Sequence, residues 1–168
     1  MTIMREVARV TGIYICPVAG APMQMVDHVQ VVEDLGIVGD RYAKQIGFWQ
    51  TLKNPRPAIR HVSFISQEDI DAANEEFGTA FTAAETRRNI LIKGYGRDLR
   101  ELIDVEFRVG QVLFRGAEEC TPCGRPSQLS GKKFFEKAFR VNGRGGLRAE
   151  VLSSGVVPVN YSVYRHTK

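Results

Sequence analysis

Short β-branched segments set off by glycine turns, with no regular alternation of strand and helix, constrain this chain more than any other feature. Residues 7–15, 29–32, 59–65 and 90–93 are rich in valine and isoleucine, the side chains that suit a pleated, half-buried surface. Residues 105–109 alternate apolar with polar, and residues 112–114 follow a Gly110-Gln111 turn. That pair reads as a hairpin with Val105, Phe107 and Val109 on its buried face. Residues 151–152 and 159–164 read as a closing pair around a Ser153-Ser154-Gly155 turn.

Helical signals are sparse. Ser66-Gln67-Glu68-Asp69 has capping-box spacing and opens a run to Phe77, where Gly78 supplies the stop. Thr82-Ala83-Ala84-Glu85 repeats that signature ahead of a single turn leading into Arg87. Residues 130–140 place Phe134, Phe135, Ala138 and Phe139 on one face with lysines opposite, so an amphipathic helix is expected, its phenylalanines in the core. The whole reads as an all-β barrel with a few short helices, one domain spanning 1–168. A GxGxxG motif and a P-loop are both lacking, and Gly143-Arg144-Gly145-Gly146 reads as a flexible turn.

Composition narrows the function. At 168 residues the chain has room for one sizeable core, and it contains no apolar run of the roughly 18 residues a membrane helix needs. Charge at residues 1–9 stands where a signal peptide needs its apolar segment, so the cytosol is the expected location. In that reducing compartment three cysteines point to chemistry rather than to a disulfide framework. From Gly124 onward nine Lys/Arg face two acidic residues, a balance of +7, against −3 for residues 1–123. Such a segment suits an anionic partner. Nucleic acid is not the expected one, because the nearby aromatics read as core rather than as a stacking platform.

Three clusters carry chemistry. Gly36-Ile37-Val38-Gly39-Asp40-Arg41 is a tight turn presenting an acid and a guanidinium, although Gly-Asp turns before a surface arginine are common. Thr86-Arg87-Arg88-Asn89 offers a dense set of fixed donors suited to a phosphate or another oxyanion. Its plainer reading pairs one arginine with Glu85 and leaves the other in water. The third cluster is Glu118-Glu119-Cys120-Thr121-Pro122-Cys123. As half of a zinc site it lacks partners, since His28, His61 and His166 stand at no ligand spacing. As a thioredoxin-type pair it lacks the α/β context. A single functional thiolate at Cys123, with Arg125 nearby, and a pair of inert core cysteines both remain open.

Taken in order, these clusters resemble the MOSC family, named for the C-terminal domain of molybdenum cofactor sulfurase. The resemblance covers nearly the whole chain: the turn at residues 17–22, the Gly-x-x-Gly-Asp-Arg segment ending at Arg41, and Arg87 to Asn89 with Gly94 and Leu99. It continues through the hairpin leading from Gly110 to Cys123 and the final strand pair at residues 146–158. It implies a barrel with a cleft for the molybdenum cofactor, a pterin bearing a dithiolene and a phosphate. Cys123 would then be the thiolate bound to molybdenum, a soft-ligand match. The anionic part of the cofactor would be held by Arg41, Arg87, Arg88 and Asn89, with Asp40 and Cys120 beside them.

In relatives resembling amidoxime-reducing enzymes, such a centre removes oxygen from N-hydroxylated small molecules with electrons from a separate donor protein. Larger relatives carry Lys-Ser where this chain has Ala19-Gly20. No pyridoxal-phosphate desulfurase domain is expected within this sequence. The alternative the resemblance leaves is a sulfur carrier, with Cys123 taking a persulfide from a separate cysteine desulfurase.

Overall fold

In the computed structural model, residues 3–167 are described; Met1, Thr2 and Lys168, which the span 1–168 includes, lie outside the described residues. The N-terminal β-branched run forms β1 (Ile3–Ile15), longer than residues 7–15 because two register shifts bend it toward three partners. The other strands are β2 (Gln24–Val26), β3 (His28–Val32), β4 (Gly36–Ile37), β5 (Val62–Ser66), β6 (Ile90–Lys93), β7 (Glu106–Val109), β8 (Val112–Glu119), β9 (Leu147–Val151), β10 (Gly155–Pro158) and β11 (Ser162–Thr167). Seven of them follow the order β11-β7-β8-β9-β5-β6-β1, and β1 closes on β11, making a mixed barrel. A separate three-stranded sheet runs β10-β3-β4.

The fold is mainly β, as expected, with one exception in its connectivity. Strand β5 leads through α1 (Gln67–Phe77) to β6, which pairs with it in parallel. A parallel pair needs such a crossover. Its strands are buried on both faces: Phe64, Ile90 and Ile92 join the barrel core, while Ile65 and Leu91 pack under the helices. Inside the barrel, Phe64, Phe107 and Phe114 meet with ring centroids 5.3–5.7 Å apart. Helix α1 begins where the capping signal places it: Ser66 Oγ accepts from the Asp69 N–H at 3.1 Å, and Gly78 ends it in the left-handed region.

Three expectations are corrected. The helix over residues 130–140 is broken into α2 (Arg125–Ser130) and α3 (Phe135–Phe139), with Gly131 and Phe134 at φ of 73° and 77° between them. Phe135 and Phe139 are fully buried, but Phe134 is 59% exposed and is not core. The closing hairpin does not form: β9 pairs with β8 and β5, β10 with β3, and β11 with β1 and β7. The turn at Ser153–Gly155 passes the chain to the smaller sheet instead. Finally, Gly143 to Gly146 is a buried junction rather than a flexible turn.

The start of α1 carries an electrostatic cost. Burial pushes the Asp69 carboxyl up to about 6, and its Oδ2 is enclosed without a hydrogen-bond partner. The native state therefore favours the protonated form, so stability falls as pH rises from the ordinary value of 3.8 to about 6. The deficit persists above that window. Asp69→Asn is expected to stabilise the protein by about 1 kcal/mol at pH 7.5, allowing for partial exposure, and by nothing near pH 4. Thermal melts at the two pH values check this; an equal gain at both would contradict it.

Candidate functional site

Strand β8 runs directly into the CxxC segment, and the buried glycine junction fixes where that segment goes. The Cys120 N–H donates to Gly146 O at 2.9 Å. Gly145 lies so close below that a Cβ there would stand 2.1 Å from Cys120 O and 2.9 Å from the Pro122 ring. Only glycine permits that approach. The result is one inner and one outer thiol: Cys120 is 4% exposed and Cys123 is half-buried. Both line a cavity of about 630 Å³.

The arginine clusters line the same cavity. A 3-10 turn at Ala84–Thr86 ends at Arg87, whose φ of 67° is uncommon for a residue with a side chain. That conformation turns Arg87 and Arg88 toward the thiols. Arg87 Nη1 donates to Ala21 O, its Nη2 lies 3.7 Å from Cys16 Sγ, and burial, then Arg41, lowers its pKa. Arg88 Nε donates to Gly145 O at 2.7 Å, tying this wall to the floor of the CxxC segment. Neither arginine pairs with Glu85, which accepts instead from Lys132 at 2.6 Å.

Arg41 lines the cavity, but Asp40 does not. The fully buried Asp40 carboxylate accepts from the Cys16 N–H at 3.0 Å, the Tyr42 N–H at 3.3 Å and Arg41 Nη1 at 3.1 Å. It anchors the turn and aims Arg41, and the structure places it behind the cavity lining rather than in it. Asn89 is likewise committed: its Oδ1 accepts from the Ser63 N–H and Oγ, each at 3.1 Å, and its Nδ2 donates to Tyr14 O at 3.1 Å. One amide N–H remains to face the cavity it lines.

Several lining residues carried no sequence signal. Tyr42, Trp49, Leu52, Asn54, Arg56 and Arg60 come from the irregular segment between Arg41 and β5, and Arg148 from β9. The Pro-bounded Asn54-Pro55-Arg56-Pro57 run was the one available hint of a basic loop. Altogether six guanidiniums line the cavity, with Glu118 the one acid among the described lining residues. A smaller recess shares Arg41, Arg87, Arg88 and Cys123 with it and adds Arg125, which stacks 3.9 Å from the Phe48 ring centroid. Arg125 Nη2 comes within 3.3 Å of where a Gly20 Cβ would sit. Arg125 therefore stands beside the Ala19-Gly20 turn in that recess.

Thiols and guanidiniums lining one such volume can hold a large anion against a soft metal ligand. Among the described residues no group of three or more His, Cys, Asp or Glu gathers where it could hold a metal ion. A metal at Cys123 must therefore bring its remaining ligands with it, as a metal already chelated by a dithiolene does. The donor set fits that group. Among the described residues no helix is long and apolar enough to cross a membrane.

Comparison with known proteins agrees with this architecture. The YuaD protein from Bacillus subtilis superposes with a TM-score of 0.78 at 20% identity, over 100% of both chains. YiiM from Geobacillus stearothermophilus and YiiM from Escherichia coli each give a TM-score of 0.62 at 16% identity. Those matches cover 99% of this chain and 76% and 71% of theirs. At such identities the likeness establishes the fold. Among proteins with curated descriptions none matches the chain. The model of the MOSC domain matches residues 53–164, two thirds of the sequence, and the chain belongs to the MOSC domain family.

Proposed function

We propose that this protein binds the molybdenum cofactor and reduces N-hydroxylated or N-oxygenated small molecules. One observation carries the reading: a half-buried thiol, Cys123, shares a 630 Å³ cavity with six guanidiniums whose one acidic neighbour, Glu118, is already paired with arginine. When bound, the cofactor supplies a two-electron centre competent to remove oxygen from nitrogen.

The chain supplies everything around that centre. Cys123 offers a thiolate ligand from a loop whose backbone is pinned at Gly146. Arg41, Arg87, Arg88 and Arg125 border the recess beside it and hold the cofactor's phosphate. Asp40 keeps Arg41 aimed, and Asn89 offers its one uncommitted N–H. Tyr42, Trp49 and Leu52 cover the cavity with apolar surface against which a small organic substrate packs. Cleaving the N–O bond consumes two electrons and two protons and releases water. The electrons come from a separate donor protein. The Cys120–Cys123 pair alone would equally suit a persulfide relay, but a carrier has no use for the large basic cavity, which favours the cofactor reading.

The test is turnover. Molybdenum-loaded protein supplied with reduced methyl viologen is expected to convert an N-hydroxylated amidine to the amidine, oxidising two viologens per molecule. Inertness of loaded protein toward N-hydroxylated amidines, hydroxylamines and N-oxides alike would sink the reductase reading.

A further inference from the structure

Outside the recess assigned above to the cofactor's phosphate, the main cavity is lined by a second cationic group. Arg56 Nη2 donates to both oxygens of Glu118, at 3.1 and 3.2 Å. Arg148 Nη1 lies 3.2 Å from the same carboxylate, too oblique for a hydrogen bond, so that enclosed nitrogen has no acceptor. Arg60, half-buried in the same cavity lining, makes no hydrogen bond or salt bridge among the described residues. Burial and then the like charges of Arg148 and Arg56 lower its pKa. Three guanidiniums against one carboxylate leave two uncompensated positive charges and a fork of free N–H donors. A half-buried guanidinium without an acceptor, beside two of like charge, has its natural complement in an incoming dianion.

We propose that Arg60, with Arg56 and Arg148, forms a subsite for the phosphate monoester of a phosphorylated small-molecule substrate. The substrate assignment rests on the reductase reading; the subsite itself does not. None of these three arginines lines the recess beside Cys123, which has its own set in Arg41, Arg87, Arg88 and Arg125. A cofactor with one phosphate occupies one set and leaves the other for the substrate. Trp49 and Leu52 line the same cavity and give the substrate's organic part an apolar wall.

Calorimetric titration with phenyl phosphate tests the subsite on the purified protein without turnover. Arg60→Gln is expected to weaken phenyl phosphate binding about tenfold or more, the scale of a charge-assisted hydrogen bond. Arg60→Lys should recover part of the loss, and Arg125→Gln, confined to the recess, should lose less than Arg60→Gln. Unchanged affinity in Arg60→Gln, a loss confined to Arg125→Gln, or benzoate binding as tightly as phenyl phosphate would each overturn the proposal. Arg60→Gln should also keep the molybdenum content of the wild type. Molybdenum lost in step with phosphate affinity would assign the cluster to the cofactor and overturn the substrate role. Arg60-dependent binding in a protein that carries no molybdenum would uphold the subsite while removing the reductase reading.

Discussion

Cys123→Ser is expected to bring turnover of an N-hydroxylated amidine down to the protein-free background while leaving the melting temperature within about 2 °C. The side chain sits half-buried at the cavity wall and makes no hydrogen bond among the described residues, so serine removes little packing. What it removes is the soft donor, because a neutral hydroxyl does not replace a thiolate at a soft metal. Cys120→Ser should show the opposite balance. That thiol is 4% exposed, so a hydroxyl there loses stability for want of a partner, while activity persists in the folded fraction. Assays and melts on the two variants separate the roles. Full activity in Cys123→Ser with none in Cys120→Ser would reverse the assignment.

The second large effect is structural. Asn89→Ala is expected to cost about 3 kcal/mol, since it deletes three hydrogen bonds and leaves the Ser63 N–H and the Tyr14 carbonyl without their side-chain partner. For a chain of this size that corresponds to roughly 10 °C in melting temperature. The amide stitches β6 to both β5 and β1 just where Arg87 and Arg88 enter the cavity, so its loss also loosens the wall that carries them. Denaturant or thermal unfolding of cofactor-free protein measures it without interference from cofactor loss. A variant that melts with the wild type would show that the amide is not the clasp described here.

How much of this was legible in the sequence depended on whether the relevant signal was local. The β7–β8 hairpin could be read because alternation and a Gly110 turn sit within ten residues, and Phe107 and Val109 are indeed buried. The α1 boundaries could be read because a side-chain cap and a left-handed glycine mark both ends. The break between α2 and α3 could not, because the spacing of Phe134, Phe135 and Phe139 imitates a helix while Phe134 itself adopts a positive φ. Pairing of the C-terminal strands depends on partners as distant as β1 and β3, which no turn signal names.

The same division holds for the cavity. The paired thiols and the Arg-Arg-Asn run are contiguous and stood out, and the structure brings them to one cavity. Arg56 lies in a segment without periodicity, Arg60 in a run whose β-branched residues predict a strand and no site, and Arg148 on a strand whose alternation speaks only of Leu147, Ala149 and Val151. Only the folded chain shows that these side chains meet around Glu118. Asp40 illustrates the converse: its place beside Arg41 was plain, but its full burial behind the cavity lining was not.

Elemental analysis of wild-type protein purified from a host that makes the molybdenum cofactor tests the central claim most directly. About one molybdenum per folded chain is the predicted result. Folded protein with intact barrel signatures and no molybdenum would contradict it, and would leave Cys123 as a sulfur-handling thiol in a cavity built for some other anion.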